Sequence, residues 1–189
     1  MSIKKSATAL AVGSLVCIAL MGLRSPAVAR QEEKKAHPKD AAISKAVAIL
    51  LATKGSKAEG RVTFTQTEHG VHVKGEISGL TPGEHGFHVH EFGVWSPDGK
   101  AAGGHFNPTA QKHGEREASK RHIGDLGNIK ANENGSAVID FVDPHLTFHG
   151  SHSIIGRGLV VHEKADDYGQ PVGNAGGRVA VAVIGVAQP

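Results

Sequence analysis

From Ser44 onward, short runs of alternating apolar and polar residues are separated by clusters of Gly, Asn, Asp and Pro, a period of two that predicts strands. In residues 61–66, Val62 and Phe64 share one parity while Arg61, Thr63 and Thr65 share the other, as a strand covered on one face requires. Residues 71–77 repeat the pattern, with Val71, Val73 and Ile77 toward a core and His72, Lys74 and Glu76 toward water. His72 is thus expected on the outside of a strand, and His69 in a turn. Asn134-Gly135 lies between runs at 126–131 and 136–142 and predicts a hairpin whose glycine supplies a positive φ. Turn chemistry accounts for Asn134-Gly135-Ser136 better than glycosylation does, although the three residues form a sequon. Further strands are predicted at 45–51, 86–91, 159–162 and 178–186. Eight short strands without a convincing helix predict an all-β sandwich or barrel. Two stretches, 93–124 and 163–177, stay irregular, and long loops in a compact domain are usually functional.

The chain has 189 residues, 39% of them apolar, enough for one domain and an extension. Six Phe, one Trp and one Tyr stand against 25 Gly, so the core must be built from Val, Ile, Leu and Ala. Residues 1–29 read as a signal peptide: Lys4 and Lys5 precede an apolar run from Ala7 to Leu23, and Ala27-Val28-Ala29 offers a small-x-small cleavage site. The alternative, an uncleaved membrane anchor, is opposed by Gly13, Ser14 and Gly22, which interrupt a short run. Export to a periplasm or the extracellular space is expected. Residues 30–43, charged and broken by Pro38, read as a polar linker with His37 solvated, and 44–189 as the folded domain.

Cleavage changes the charge picture. Lys4, Lys5 and Arg24 account for the whole formal excess of +3, so the mature chain is formally neutral. Neither its charge nor any aromatic-interleaved basic patch calls for a nucleic-acid partner, and no later segment predicts a membrane span. Cys17, the single cysteine, leaves with the signal. Disulfides, thiolate-ligated zinc, blue copper and iron–sulfur sites are then excluded, and any metal must be held by His and carboxylate.

In Gly86-Phe87-His88-Val89-His90 the two histidines stand at i and i+2, on the strand face opposite Phe87 and Val89. Such a pair is as consistent with two solvated histidines as with a metal. More donors lie in the first irregular stretch: His105, His113, His122 and Asp125, three imidazoles and a carboxylate of the kind that closes a tetrahedral zinc site. A solvated, mixed-charge loop is the alternative there. His162 ends the apolar run Leu159-Val160-Val161. His145, His149 and His152 lie in a turn-rich stretch and are expected at the surface.

The segments GFHVHEFG (86–93), GHFNP (104–108), KHGE (112–115), RHIGDLGN (121–128), GRGLVVHEKADD (156–167) and GNAGGRVAVAVIGVAQ (173–188) are similar to those of copper–zinc superoxide dismutases, in the same order and spacing, over residues 45–188. The resemblance implies an eight-stranded Greek-key barrel with the metal site outside it, under two long loops. Carried over residue by residue, copper takes His88, His90, His105 and His162, and zinc takes His105, His113, His122 and Asp125, with His105 shared. Asp166 corresponds to a carboxylate tying His88 to His113, and His85 to a structural position. Arg178 corresponds to the family's anion-guiding arginine, and His105 to the group that passes a proton to the product. Phe92, Gly93, Ile155, Gly156 and Val186 match dimer contacts, so a homodimer is implied. The implied activity converts two superoxide radicals and two protons to oxygen and hydrogen peroxide.

Two departures stand out. The family's disulfide positions fall at Gly99 and Val181, so a bond worth up to about 4 kcal/mol in the chain-entropy model cannot form, and loop packing around Arg178 is in question. The second loop is short, with only Tyr168-Gly169-Gln170-Pro171-Val172 between Asp167 and GNAGGR, so charged residues that shape the approach field are missing. The alternative function is an exported copper and zinc store or carrier with the same fold and no turnover. Retention of Arg178, His105 and the full ligand set favours the enzyme.

Overall fold

The computed structural model describes residues 42–189. The expected signal peptide (1–29) and nearly all of the expected linker (30–43) fall outside the described residues; Ile43, at the end of that stretch, already packs against the core. Eight strands follow: β1 (Lys45–Ala52), β2 (Glu59–Thr67), β3 (Gly70–Ser78), β4 (Gly83–His90), β5 (Asp125–Ala131), β6 (Ala137–Asp143), β7 (Gly158–His162) and β8 (Arg178–Val186). Among the described residues the helical content is two single 3₁₀ turns, Lys100–Ala102 and Gly150–His152.

The strands close into one antiparallel barrel in the order β1-β2-β3-β6-β5-β4-β7-β8, with β8 returning to β1. β3 pairs with β6 rather than β4, which is the Greek-key crossing. Closure leaves no free sheet edge, which matters for a chain with so many short β-prone runs. Alternation behaves as predicted: Val62, Phe64, Val71, Val73 and Ile77 fill the barrel with Ile139, Leu159 and Ile184. On the outer face His72 binds Asp140 across the sheet at 2.6 Å, and His69 is exposed. Gly135 has φ +75° at the β5–β6 hairpin, as expected. His149 is exposed, whereas His145 and His152 are half-buried.

Adjacent β4 and β7 build the platform for the site. Phe87 and Val89 on β4, with Leu159 and Val161 on β7, point into the core, which sends His88, His90 and His162 outward. The pairing of β7 with β8 slips between Val161 and His162, and this irregularity puts His162 opposite Arg178. Residues 91–124 then fold back over β4: His105 bridges to His90, Phe106 N–H donates to Val89 O (2.8 Å), and Val89 N–H donates to Gly124 O (2.9 Å). Residues 163–177 cover the other side, with Gly86 N–H donating to Lys164 O (2.8 Å). Roofed in this way, His88 and His90 are buried although they face away from the core.

Candidate metal centre

Two groups of donors converge outside the barrel. His88, His90, His105 and His162 form one, and His105, His113, His122 and Asp125 form the other; within each, the ligand atoms lie within 4.8 Å of one another and every residue is buried. His105 belongs to both.

Neighbouring acceptors decide which ring nitrogen each histidine offers. In the first group, His88 Nε2 donates to Asp166 Oδ2 (2.7 Å) and His90 Nδ1 donates to Gly103 O (3.0 Å). His162 Nδ1 faces Gly176 O at 3.4 Å. Carbonyl and carboxylate oxygens only accept, so the lone pairs left over are His88 Nδ1 and the Nε2 atoms of His90 and His162. The two Nε2 atoms stand 3.3 Å apart, two lone pairs facing each other. That arrangement is repulsive unless a cation lies between them.

In the second group, Asp125 Oδ1 is the hub: it lies 2.9 Å from His105 Nδ1, 3.0 Å from His113 Nδ1 and 3.1 Å from His122 Nδ1. Donors on a regular tetrahedron with zinc–nitrogen bonds would be separated by about 3.3 Å, close to these spacings. Asp125 Oδ2 is held by the backbone N–H groups of Gly114 (3.1 Å) and His122 (2.9 Å). Nδ1 of His88, His113 and His122 are buried without hydrogen-bond partners, one in the first group and two in the second. Orphaned buried nitrogens are costly, and here all three point into a donor set, so the residues fit metal ions in both places.

The titration pattern has the same origin. Burial pulls His105 down to about 4 and His162 to about 3, and it also lowers His90, so these rings are neutral ligands at neutral pH. Burial lowers His113 too, but the carboxylates of Asp125 and Asp166 beside the ring outweigh it and raise it to about 9. For Asp125 and Asp166 burial opposes ionisation; the histidines around them prevail and keep both carboxyls well below the usual range.

Asp166 joins the two groups, accepting from His88 Nε2 and from His113 Nε2 (3.0 Å to Oδ1). It is itself fixed by Asn128, whose Oδ1 accepts from Asp166 N–H (2.7 Å) and whose Nδ2 donates to Asp166 O (2.9 Å). His85, buried, spans Thr81 O and His162 O at 2.8 Å each. Arg121 is buried as well: it forms an ion pair with Asp143 and donates to the carbonyls of Arg116, His122 and Ile123, which pins the stretch carrying His122 to the barrel. Breaking such a buried pair by removing one partner costs about 3–5 kcal/mol. Sequence reasoning missed Asn128 on β5 and Arg121 in the first loop, because a polar side chain gives no local sign of the distant group it binds.

Residues 58–184 match the family model for copper/zinc superoxide dismutase. Over 151 residues, 75% of each chain, the protein is 44% identical to the extracellular copper–zinc superoxide dismutase of Brugia pahangi. It is 48% identical to superoxide dismutase [Cu-Zn] A of Xenopus laevis over 149 residues, 75% of this chain and 97% of that one. The crystal structure of the clock protein EA4 superimposes with a TM-score of 0.74 at 47% identity, covering 80% of this chain and 99% of that one. The chain belongs to the copper/zinc superoxide dismutase family. Its activity is the dismutation of superoxide, and copper and zinc are its metals.

In this dismutase the first donor group opens to solvent through a cavity of about 170 Å³ lined by His90, Gly104, His105, His162, Val172, Gly173, Ala175, Gly176 and Arg178. Arg178 is half-buried at the cavity, and its Nη1 donates to Gly99 O (2.6 Å) and Nη2 to Gly103 O (2.5 Å), so the guanidinium is braced by the first loop. The concern raised by the missing disulfide is resolved by these contacts. Gly99 and Val181 do face each other: a Cβ on Gly99 would lie 3.1 Å from Val181 Cγ2. In place of a covalent link, Val181 packs with Ala102 and Val160 in a small apolar cluster outside the barrel.

Proposed function

We propose that His88, His90, His105 and His162 hold copper, that His105, His113, His122 and Asp125 hold zinc, and that Arg178 draws superoxide to the copper end. The sharing of His105 carries this assignment: its Nδ1 faces Asp125, which leaves Nε2 for the first group. All-nitrogen ligation suits copper in both of its oxidation states, and three imidazoles with a carboxylate suit a closed zinc site. Copper held there would supply one-electron chemistry, since it can both accept and give a single electron. His105 Nε2, when its lone pair is free of copper, would take up a proton and hand it to the reduced oxygen, and solvent entering through the cavity would supply the second proton of hydrogen peroxide. Asp166 orients His88 and His113 as their common acceptor. Arg178 contributes a fixed positive charge beside the opening, where an anion enters.

Metal content measured together with superoxide dismutation tests the assignment. His162→Ala is expected to lose copper and all but a trace of activity while keeping zinc, and Asp125→Ala to lose zinc. Stoichiometric copper in the wild type without turnover is what a storage or carrier protein requires, and it would overturn the catalytic roles given to His105 and Arg178.

The same proposal includes export and a homodimer. Residues 1–29 act as a cleaved signal and 30–43 as a linker, a destination in keeping with the relative named as extracellular. Phe92, Val183 and Val186 are exposed, and hydrogen bonds from Gly93 N–H to Gly156 O (3.0 Å) and from Gly156 N–H to Ile184 O (2.8 Å) tie together the segments that carry them. Exposed apolar side chains on joined segments suit a second copy. The exported chain is expected to begin at Arg30 by mass and to sediment as a dimer that Phe92→Glu converts to a monomer. A retained leader excludes cleavage, and a wild-type monomer excludes the dimer.

A further inference from the structure

The short second loop is organised by its own hydrogen bonds. Gly173 N–H donates to Gly169 O at 2.6 Å, closing the five-residue turn 169–173. Asp167 accepts from Gly169 N–H (2.9 Å), Asn174 N–H (3.1 Å) and Asn174 Nδ2 (2.7 Å). From this turn Gln170 reaches the first loop. Its Oε1 accepts from the backbone N–H of His113 (3.2 Å) and its Nε2 donates to the backbone carbonyl of the same residue (2.8 Å), across 57 residues of sequence. A primary amide can satisfy both polar groups of one residue's main chain at once; a carboxylate would set an acceptor against the carbonyl, and an alkyl group would leave both unmet.

Other residues of the stretch hold the ring. Asp166 accepts from His113 Nε2, and the Tyr168 ring lies 6.2 Å from that of His113 at an interplanar angle of 31°. Gly173, at φ +71°, is packed so closely that a Cβ would lie 2.0 Å from Asp166 Oδ1 and 3.2 Å from His113 Nε2. His113 is thus held at its backbone and at its ring edge, while its buried Nδ1 is turned toward Asp125 Oδ1 at 3.0 Å.

We infer that Gln170 is a positioning residue for the zinc end of the centre, gripping the His113 backbone so that Nδ1 is aimed at the metal and zinc is retained. The inference rests on the assignment of zinc to His105, His113, His122 and Asp125 given above. Gln170 makes none of the hydrogen bonds that orient His88, His90, His105 or His162, so its effect falls on zinc and spares copper.

The test uses the mature protein loaded with copper and zinc, together with Gln170→Ala and the near-isosteric Gln170→Glu. Zinc and copper release to a competing chelator are followed separately, and cobalt(II) placed at the zinc position reports ligand geometry by its visible spectrum. Partners that orient metal ligands typically govern affinity by about 10–100-fold. Gln170→Ala is therefore expected to weaken zinc retention by about tenfold or more and to alter the cobalt spectrum. Copper retention should stay within about twofold. Gln170→Glu, which keeps the acceptor and loses the donor, is expected to weaken zinc retention by less. Wild-type zinc retention in Gln170→Ala, or equal loss of both metals, would overturn the inference. Asp125→Ala serves as the reference: if it keeps zinc, the ligand assignment itself fails; if it loses zinc while Gln170→Ala does not, only the role of Gln170 fails.

Discussion

Replacing Arg178 by alanine is expected to slow superoxide dismutation at low salt by on the order of tenfold, to flatten the dependence of the rate on ionic strength, and to leave copper content unchanged. Electrostatic steering is a known property of this enzyme family, and the structure narrows where it must come from in this chain. The guanidinium sits at the cavity over His90, His105 and His162, and its bonds to Gly99 O and Gly103 O prevent it from swinging away. The second loop contributes Val172, Gly173, Ala175 and Gly176 to the same cavity and no charged side chain. On the proposal above, Arg178 is the charged side chain lining the cavity that supplies the local attraction. Burial lowers the pKa of Arg178, but a guanidinium starts so high that it remains charged under all working conditions. Arg178→Lys separates charge from fork geometry: it should keep the salt dependence and recover part of the rate, because an ammonium cannot brace two carbonyls in the same plane. A rate in Arg178→Ala equal to that of the wild type at low salt would show that approach is governed elsewhere.

Chelation of the metals is expected to lower the melting temperature by about 10 °C or more, whereas a thiol reductant should not change it. Three buried imidazole nitrogens without partners each cost about 1–3 kcal/mol, and two metals bound only by the folded state relieve that cost and add their own binding energy. At metal concentrations about a thousandfold above the dissociation constant each site contributes about 4 kcal/mol. For a domain of this size, 1 kcal/mol moves the midpoint by about 2–4 °C or more, which gives the expected shift. The reductant has nothing to act on, since Cys17 is the only thiol in the sequence and pairing within the chain is impossible. The first loop is held instead by the Arg178 hydrogen bonds and by packing of Ala102, Val160 and Val181. A reductant-sensitive melt, or equal midpoints with and without metal, would contradict this account.

All eight strands were legible in the sequence because the alternation that predicts them is local: a side chain two residues on returns to the same face, and turn residues mark the ends. The outward direction of His88 and His90 followed from that parity alone, with Phe87 and Val89 opposite them in the barrel. The donor residues could also be found from their kinds and spacing, once the resemblance across several separate segments joined them.

Other features depended on contacts between segments far apart in the chain, about which local composition is silent. The slip between β7 and β8 that sets His162 against Arg178 is a property of strand pairing. Arg121, Asn128 and Gln170 carried no local sign of a role, and each binds a group that only folding brings near: Asp143, the Asp166 backbone and the His113 backbone. The nitrogen that each histidine turns toward the centre is likewise set by whichever acceptor the fold brings to its other side. By itself, the sequence determined an all-β sandwich or barrel, its outward histidine pair and the donors available to metals. The tertiary structure decided how those donors are aimed and braced, because hydrogen bonds between loops depend on distances that no period along the chain encodes.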